Sequence, residues 1–521
     1  MILYPQARSF RMALVGVLAA SVFAITGATF AAAQPKGEIV VAVPTLSQQF
    51  DPTRMISIAD YTVSEMLFDG LINLGPKGKY PGLAESWVIS ADGKQIDFKL
   101  RAGVKFHNGD ALTAEDVKFT IEKMLAPDST NAYRRGFVDS LERVDVVDAE
   151  TARFVLKQPW PAFFTTARYA LTFIVPKNYY EKVGAKGFQE KPIGTGPFKF
   201  VGLSAGEWVK FEANPQYWGG SPKVRTATIR LVAEPFTRYA MLERGEAHIA
   251  AGLNGPLLER VKSNSNLYIA MTSSSGTTGI LFNKNVFPQA GDRRVRLAVA
   301  HAINREAIAE KMLGGVCRPG TGMLTPGTFG YLDGLPLIPY DPAKAKELLK
   351  EAGVTPGLKV TLALQTQSYP SLPNTPQVLE AVAGNLEAVG FTVERQAMES
   401  AAWMSMMRAG KQPAVFHAPS SMPDDGGELI NSFFSSTATF TPKTIQVPEY
   451  DQIFKAQQKE TDLKAREKML QEFARLEHKN LEMVPLLWCD TPFAANKRVK
   501  GWQPALSSGW FMNLRSIELS E

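Results

Sequence analysis

The chain has 521 residues, enough at roughly 100 to 200 residues per domain for several hydrophobic cores, which excludes a small disulfide-stapled scaffold. Apolar residues make up 45%, charged residues 21% and aromatics 10%, with a mean hydropathy of -0.10, so neither a disordered chain nor a polytopic membrane protein fits. The net charge of +6 is scattered and too small to argue for nucleic acid, and two cysteines without a CxxC or Cys/His cluster exclude a thiolate zinc site.

Arg8 and Arg11 precede an apolar run from Met12 through Ile25, which closes at Ala31-Ala32-Ala33 before Gln34. This is the pattern of a secretory signal peptide cleaved after Ala33, with an uncleaved membrane anchor as the rival reading. No cysteine follows the apolar run, so a lipoprotein anchor is not expected, and no later stretch reaches the ~18 apolar residues of a membrane helix. The mature chain is expected to be exported, periplasmic and soluble.

Ile39-Val40-Val41-Ala42-Val43, ended by Pro44, reads as a strand buried on both faces near a sheet centre. Asn108-Gly109 marks a turn, and Thr113-Ala114-Glu115-Asp116 reads as a helix start with acids in its first turn, followed by Val117, Thr120, Ile121 and Met124 on one face. Asp292 is placed to cap a helix carrying Val295, Ala298, Val299, Ala302 and Ile303 at helical spacing; Asn304 restarts a helix that stops at Gly314. Asp341-Pro342 opens another, closed by Gly353, and strand-like runs at Leu358 to Leu364 and Phe391 to Arg395 bracket further helices. Strands alternating with helices make the fold class α/β.

Gly82-Leu83-Ala84-Glu85-Ser86-Trp87, Gly103-Val104-Lys105-Phe106-His107-Asn108-Gly109-Asp110, Ile193-Gly194-Thr195-Gly196-Pro197-Phe198, Asn214-Pro215-Gln216-Tyr217-Trp218, Asp292-Arg293-Arg294-Val295-Arg296 and Tyr340-Asp341-Pro342 occur in this order. Together they resemble the family 5 extracellular solute-binding proteins of ABC importers, the dipeptide, oligopeptide and nickel-complex binders, over nearly the whole mature chain. Each motif also has a plain structural use in turns, caps and tight backbone paths, so they specify a fold and not a substrate. The resemblance implies a two-lobed periplasmic-binding-protein clamshell, type II, of the large cluster with an extra subdomain in the first lobe. Expected boundaries are a signal peptide at 1–33, lobe I at 34–277 with the subdomain at about 82–205, lobe II at 278–485, and a C-terminal return to lobe I at 486–521. Two connections of this kind can hinge, and ligand closes the cleft.

Ligand contacts are expected on loops facing that cleft. Tyr133, Arg134 and Arg135 combine an aromatic face with bidentate donors suited to carboxylates, as do Arg168 and Tyr169, against the alternative of solvated turns. Trp403 is either a ligand shelf or a core anchor. Ser47 and Gln48 follow the first strand, and Thr277 and Thr278 sit at the lobe crossing, where α/β sheets expose binding groups. The family's peptide binders show an Asp-Tyr-x-Asp-Pro-like run whose first Asp holds the ligand ammonium; here Ser420-Ser421-Met422-Pro423-Asp424-Asp425 puts Ser421 at that place. Either Asp424 or Asp425 replaces the charge, or the ligand lacks a free amino terminus.

His107, His301 and His478 read as structural, His248 as a local hydrogen-bonding residue, and His417, just ahead of the departing loop, as a side chain with access to the cleft. No spacing provides a bare metal site, and no cofactor is called for. Cys317 and Cys489 are available for one disulfide. The expectation is a monomeric receptor with a small-molecule ligand, peptide or amino-acid-derived, and an inner-membrane ABC permease complex as partner. A non-peptide organic solute such as an opine, aromatic acid or metal chelate is the alternative, and an exported enzyme or a signalling scaffold the rivals. GxSxG, HExxH, SxxK and Walker motifs are missing from convincing contexts.

Overall fold

The computed structural model describes residues 35–55, 58–75, 78–131, 134–161, 163, 173–272, 277–368, 371–420, 425–441, 444–504 and 514–520. The expected export signal, 1–33, lies outside these residues. Among the described residues no helix is long and apolar enough to cross a membrane.

The β-branched run near the amino terminus forms the strand Glu38–Val43, whose Ile39, Val41, Ala42 and Val43 are buried. It lies inside a seven-stranded sheet with the order Leu267–Thr272, Thr491–Asn496, Ile249–Ala251, Glu38–Val43, Thr226–Leu231, Trp208–Ala213, Phe198–Ser204. Its two neighbours run parallel to it, which is the setting in which both strand faces are covered. A second sheet has six strands in the order Cys317–Pro319, Met483–Cys489, Thr277–Phe282, Val415–Ser420, Lys359–Gln365, Thr392–Met398. A third, antiparallel, has four: Ala84–Ile89, Gln95–Leu100, Thr151–Leu156, Leu141–Asp148. Separate apolar clusters pack around each, with Phe98, Phe154 and Phe163 central to the smallest and Val295, Val299, Leu379 and Val382 covering one face of the six-stranded sheet.

Helix boundaries follow their caps. Asp292 accepts from the Arg294 N–H (2.8 Å) and opens Arg293–Ala302; Asp341 accepts from Lys344 N–H (2.8 Å) and opens Pro342–Glu351. The Asp116 carboxylate accepts from Thr113 N–H (2.9 Å) at the start of Ala114–Leu125 and also from Lys177 N–H (2.8 Å), tying two helix starts together.

The glycine-rich run at 193–198 is a docking surface. Gly196 donates its N–H to the Leu67 carbonyl (2.8 Å), and a Cβ at Gly194 would stand 2.0 Å from that oxygen. The buried Asp69 carboxylate gathers Tyr217 Oη (2.8 Å), Trp218 Nε1 (2.8 Å) and Thr195 Oγ1 (3.0 Å); burial raises its pKa, and these donors oppose the rise. Two of the recognisable motifs, 193–198 and 214–218, thus meet on Asp69. His107 from the Asn-Gly turn joins the first of them, with Nε2 on the Gly196 carbonyl (3.0 Å) and Nδ1 accepting from Gly194 N–H (3.3 Å).

Phe198–Ser204 is the edge strand of the seven-stranded sheet. Met483–Cys489 stays in the six-stranded sheet to its end, and the chain enters the seven-stranded sheet at Thr491–Asn496, with Asp490 between them.

Burial depresses the His107 pKa to about 4 from 6.5, so the folded state favours the neutral ring. Between these two values the unfolded chain binds more protons, and stability falls as pH drops through that window. The expected outcome is a His107→Asn variant whose unfolding free energy, measured by denaturant titration from pH 7 to pH 4, declines less steeply than the wild type's, by about one proton.

A polar crossing between two sheets

In the seven-stranded sheet Glu38–Val43, Thr226–Leu231 and Ile249–Ala251 are parallel, and Thr491–Asn496 runs against both Ile249–Ala251 and Leu267–Thr272. Val43, Leu231, Ala251 and Thr272 therefore end on one side, where Thr491 begins opposite Thr272. In the six-stranded sheet Lys359–Gln365, Thr392–Met398 and Val415–Ser420 are parallel, and Thr277 and Trp488 lie opposite one another at the end where Ser420 faces Thr277. Both passages between sheets, 272 to 277 and 489 to 491, thus join the carboxyl ends of two sets of parallel strands. That is where open α/β sheets bind ligands, because the loops there diverge and leave polar strand ends uncovered.

Among the described residues, Ser64 Oγ, Gln365 Nε2, Ser371 Oγ, Trp403 Nε1, His417 Nε2, Glu482 Oε2 and Thr491 Oγ1 are buried without a hydrogen-bond partner. Gln365 and Thr491 stand at the strand ends, Ser371 and Trp403 follow strand ends, and His417 lies in Val415–Ser420. Each such atom costs about 1–3 kcal/mol unless something pairs with it. At the opposite end of Met483–Cys489 stands a charged cluster. Glu477 accepts from Met483 N–H (2.8 Å) and the Tyr450 hydroxyl, and burial pushes its pKa up to about 8. Arg296 pairs with Glu482 (3.2 Å) and donates to the Leu481 carbonyl (2.9 Å).

Thr277 and Thr278 are on the strand that enters the six-stranded sheet at the crossing. The Thr278 hydroxyl is committed within the sheet, donating to the Leu487 carbonyl (2.8 Å) and accepting from Leu487 N–H (3.2 Å). Ser47 and Gln48 follow Glu38–Val43; the Ser47 hydroxyl donates to Asp60, and the Gln48 carbonyl accepts from Gln189. Tyr133, Arg168, Tyr169, Ser421 and Asp424 lie outside the described residues, and Arg135 lies in Arg134–Ser140 with its side chain undescribed.

Three of the residues expected at the site are engaged within the protein. Arg134 donates Nε to the Leu125 (3.0 Å) and Ala126 (2.8 Å) carbonyls, closing the end of Ala114–Leu125, where a cation opposes the helix dipole. Trp403 is 2% exposed and belongs to the apolar cluster that holds Leu281, Ala363, Met407 and Phe416. Asp425 is 2% exposed and forms a two-pronged ion pair with Arg466, 2.7 Å on each arm. Gln457 Oε1 supplies a further acceptor to Arg466 (2.8 Å), and Asp425 caps the next turn through Gly427 N–H (2.8 Å). A carboxylate so engaged is not a free anchor for an ammonium group.

A cavity of about 190 Å³ lined by Phe106, Asp110, Thr113, Glu115, Asp116 and Lys177 lies away from the crossing. Its acids are occupied, Asp116 by backbone N–H groups and Glu115 by the Lys177 ammonium (2.9 Å). No group of three or more potential metal ligands occurs among the described residues. Cys317 and Cys489 are disulfide-bonded at facing positions of two strands, immediately before the passage at Asp490. Asp490 is held on the same side by its N–H to the Val316 carbonyl (2.9 Å) and by Arg318 (3.3 Å).

A family model described as bacterial extracellular solute-binding proteins, family 5 Middle, matches residues 79–441. The chain is 31% identical over 409 residues to Di/tripeptide-binding protein 2 of Pseudomonas aeruginosa, covering 74% of this chain and 76% of that one. It is 32% identical over 385 residues to glutathione-binding protein GsiB of Salmonella choleraesuis, covering 74% and 73%. Its backbone matches the periplasmic binding protein MoaA of A. tumefaciens R10, solved with mannopinic acid, at a TM-score of 0.75 and 25% identity, covering 93% of this chain and 100% of that one.

Asp425→Asn should lower stability by about 3–5 kcal/mol, because the buried Arg466 charge is left uncompensated. Denaturant unfolding of the ligand-free protein measures this, and an unchanged midpoint with lost ligand binding would return Asp425 to the site. The Cys317→Ser/Cys489→Ser variant should lose about 2–5 kcal/mol in the same assay, since the bond spans 172 residues.

Proposed function

Because the chain belongs to the bacterial extracellular solute-binding proteins, family 5, we propose that it is a periplasmic receptor that captures a peptide or amino-acid-derived small molecule and delivers it to an inner-membrane ABC permease. The observation that carries this reading is the junction where the chain passes twice between sheets at the carboxyl ends of parallel strands, with unpaired buried polar atoms at the strand ends Gln365 and Thr491. In this reading the seven-stranded and four-stranded sheets form lobe I, from 34–277 and the C-terminal return, and the six-stranded sheet forms lobe II. Residues 1–33 act as the export signal, removed after Ala33.

The mechanism is a population shift. Ligand touching both sheets stabilises the closed arrangement through contacts that the open one lacks, and the permease reads closure. The ligand contacts proposed from the sequence are Ser47, Gln48, Thr277, Ser421, Asp424, Tyr133, Arg135, Arg168 and Tyr169. No bond in the ligand is made or broken, and no cofactor takes part.

One observation favours a ligand without a free α-amino group. Ser421 stands where the family's peptide binders carry the anchoring Asp, and the nearby Asp425 charge is neutralised by Arg466. Amide-linked amino-acid derivatives and opine-like acids meet this condition, and the similar MoaA was solved with mannopinic acid.

Native mass spectrometry of the mature protein, followed by thermal shift against dipeptides, tripeptides, glutathione, opines, aromatic acids and metal chelates, tests the reading. A bound ligand at one hundred times its Kd should add about 2.7 kcal/mol of stability. Stabilisation by peptides or amino-acid derivatives supports the reading; stabilisation by metal chelates or aromatic acids alone overturns the ligand class, and turnover of a candidate overturns the receptor role.

A further inference from the structure

We propose that His417 and Gln365 form a donor–acceptor pair that reads one amide group of the ligand, which makes these two residues determinants of specificity for a neutral peptide unit. This rests on the receptor function above and adds the chemistry of the group recognised.

The two side chains come from adjacent parallel strands, Val415–Ser420 and Lys359–Gln365, paired through Leu362 with Val415 and Ala363 with Phe416. His417 Nδ1 and Gln365 Oε1 are 2.8 Å apart, and the residues are 0% and 1% exposed. Since an amide oxygen only accepts, Nδ1 carries the proton and His417 Nε2 presents a lone pair. Gln365 Nε2 presents N–H groups, and neither atom has a partner. Turning the Gln365 amide over reverses both roles, and the pair still offers one donor and one acceptor.

That pattern matches a peptide group, which carries one N–H and one C=O. A carboxylate would set an acceptor against one member of the pair, and an ammonium would set a donor against the other. Burial alone pushes the His417 pKa down to about 3, so the ring does not become a second donor at the pH of an exported protein. The surroundings offer no internal reason for the pair. Ile280 faces His417 across the sheet, Val415 lies two residues before it, and Leu364 precedes Gln365, all buried and apolar. An apolar pair there would avoid the cost of two unpaired atoms. Such a cost is retained where a partner group arrives with function.

Isothermal titration of N-acetyl-trialanine and N-acetyl-dialanine, and of the N-acetyl-trialanine analogue with the central amide replaced by an ester, tests this on wild type, His417→Leu and Gln365→Leu. Each variant should bind the amide probes about tenfold or more weakly while its ligand-free melting temperature holds or rises. Wild type should bind the ester more weakly than N-acetyl-trialanine, and the variants should not discriminate between the two. Equal affinity of wild type and both variants for the two amide probes overturns the proposal while leaving the receptor reading intact. A fall in ligand-free melting temperature with unchanged affinity assigns the pair to the core. Failure of wild type to bind either amide probe, with opines or aromatic acids binding instead, removes the peptide class and this proposal together.

Discussion

Two short passages of backbone, one between Thr272 and Thr277 and one at Asp490, govern what the rest of the molecule does. Parallel strands need long crossovers, so their carboxyl ends gather on one side of a sheet while helices carry the chain back. Here two sheets are joined where both have that side, and the uncovered polar ends of each face the same junction. The strand ends gathered there, among them Thr277, Gln365 and Thr491, come from segments distant in sequence.

The distribution of buried charge separates scaffold from site. Asp69, Asp425 and Glu477 are each surrounded by donors, and all three hold elements together at places where no ligand is needed. Such networks are tolerable because every member is satisfied. The unpaired neutral groups Gln365, Ser371, Trp403, His417 and Thr491 follow another rule, since a neutral group left unpaired costs far less than a charge.

Local signals were legible in the sequence wherever a feature depends on neighbours in the chain. The strand at Glu38–Val43 follows from its β-branched run, and the helix starts after Asp292, Asn304 and Asp341 follow from side chains reaching two or three residues ahead. Strand ends such as Thr277 are readable from the sequence because the apolar run marks them. The partners of Arg134 and Asp425 are not readable, because tertiary packing chooses them: Arg466 is 41 residues from Asp425, and a carbonyl has no sequence signature. Trp403 is ambiguous at helical spacing, since tertiary packing assembles the apolar cluster it shares with Phe416 and Leu281. The Gln365–His417 pair had one signal, a polar residue interrupting Val415-Phe416 and Ala418, and it acquires meaning only when two strands are set side by side.

The bond between Cys317 and Cys489 turns a linear segment into a covalent ring that carries the strands Lys359–Gln365, Thr392–Met398 and Val415–Ser420. A protease that nicks any loop within that ring leaves both fragments tethered, so a single cut in the six-stranded half does not release a piece of it. Closing the ring requires an oxidising setting, in which a bond of this kind forms and persists.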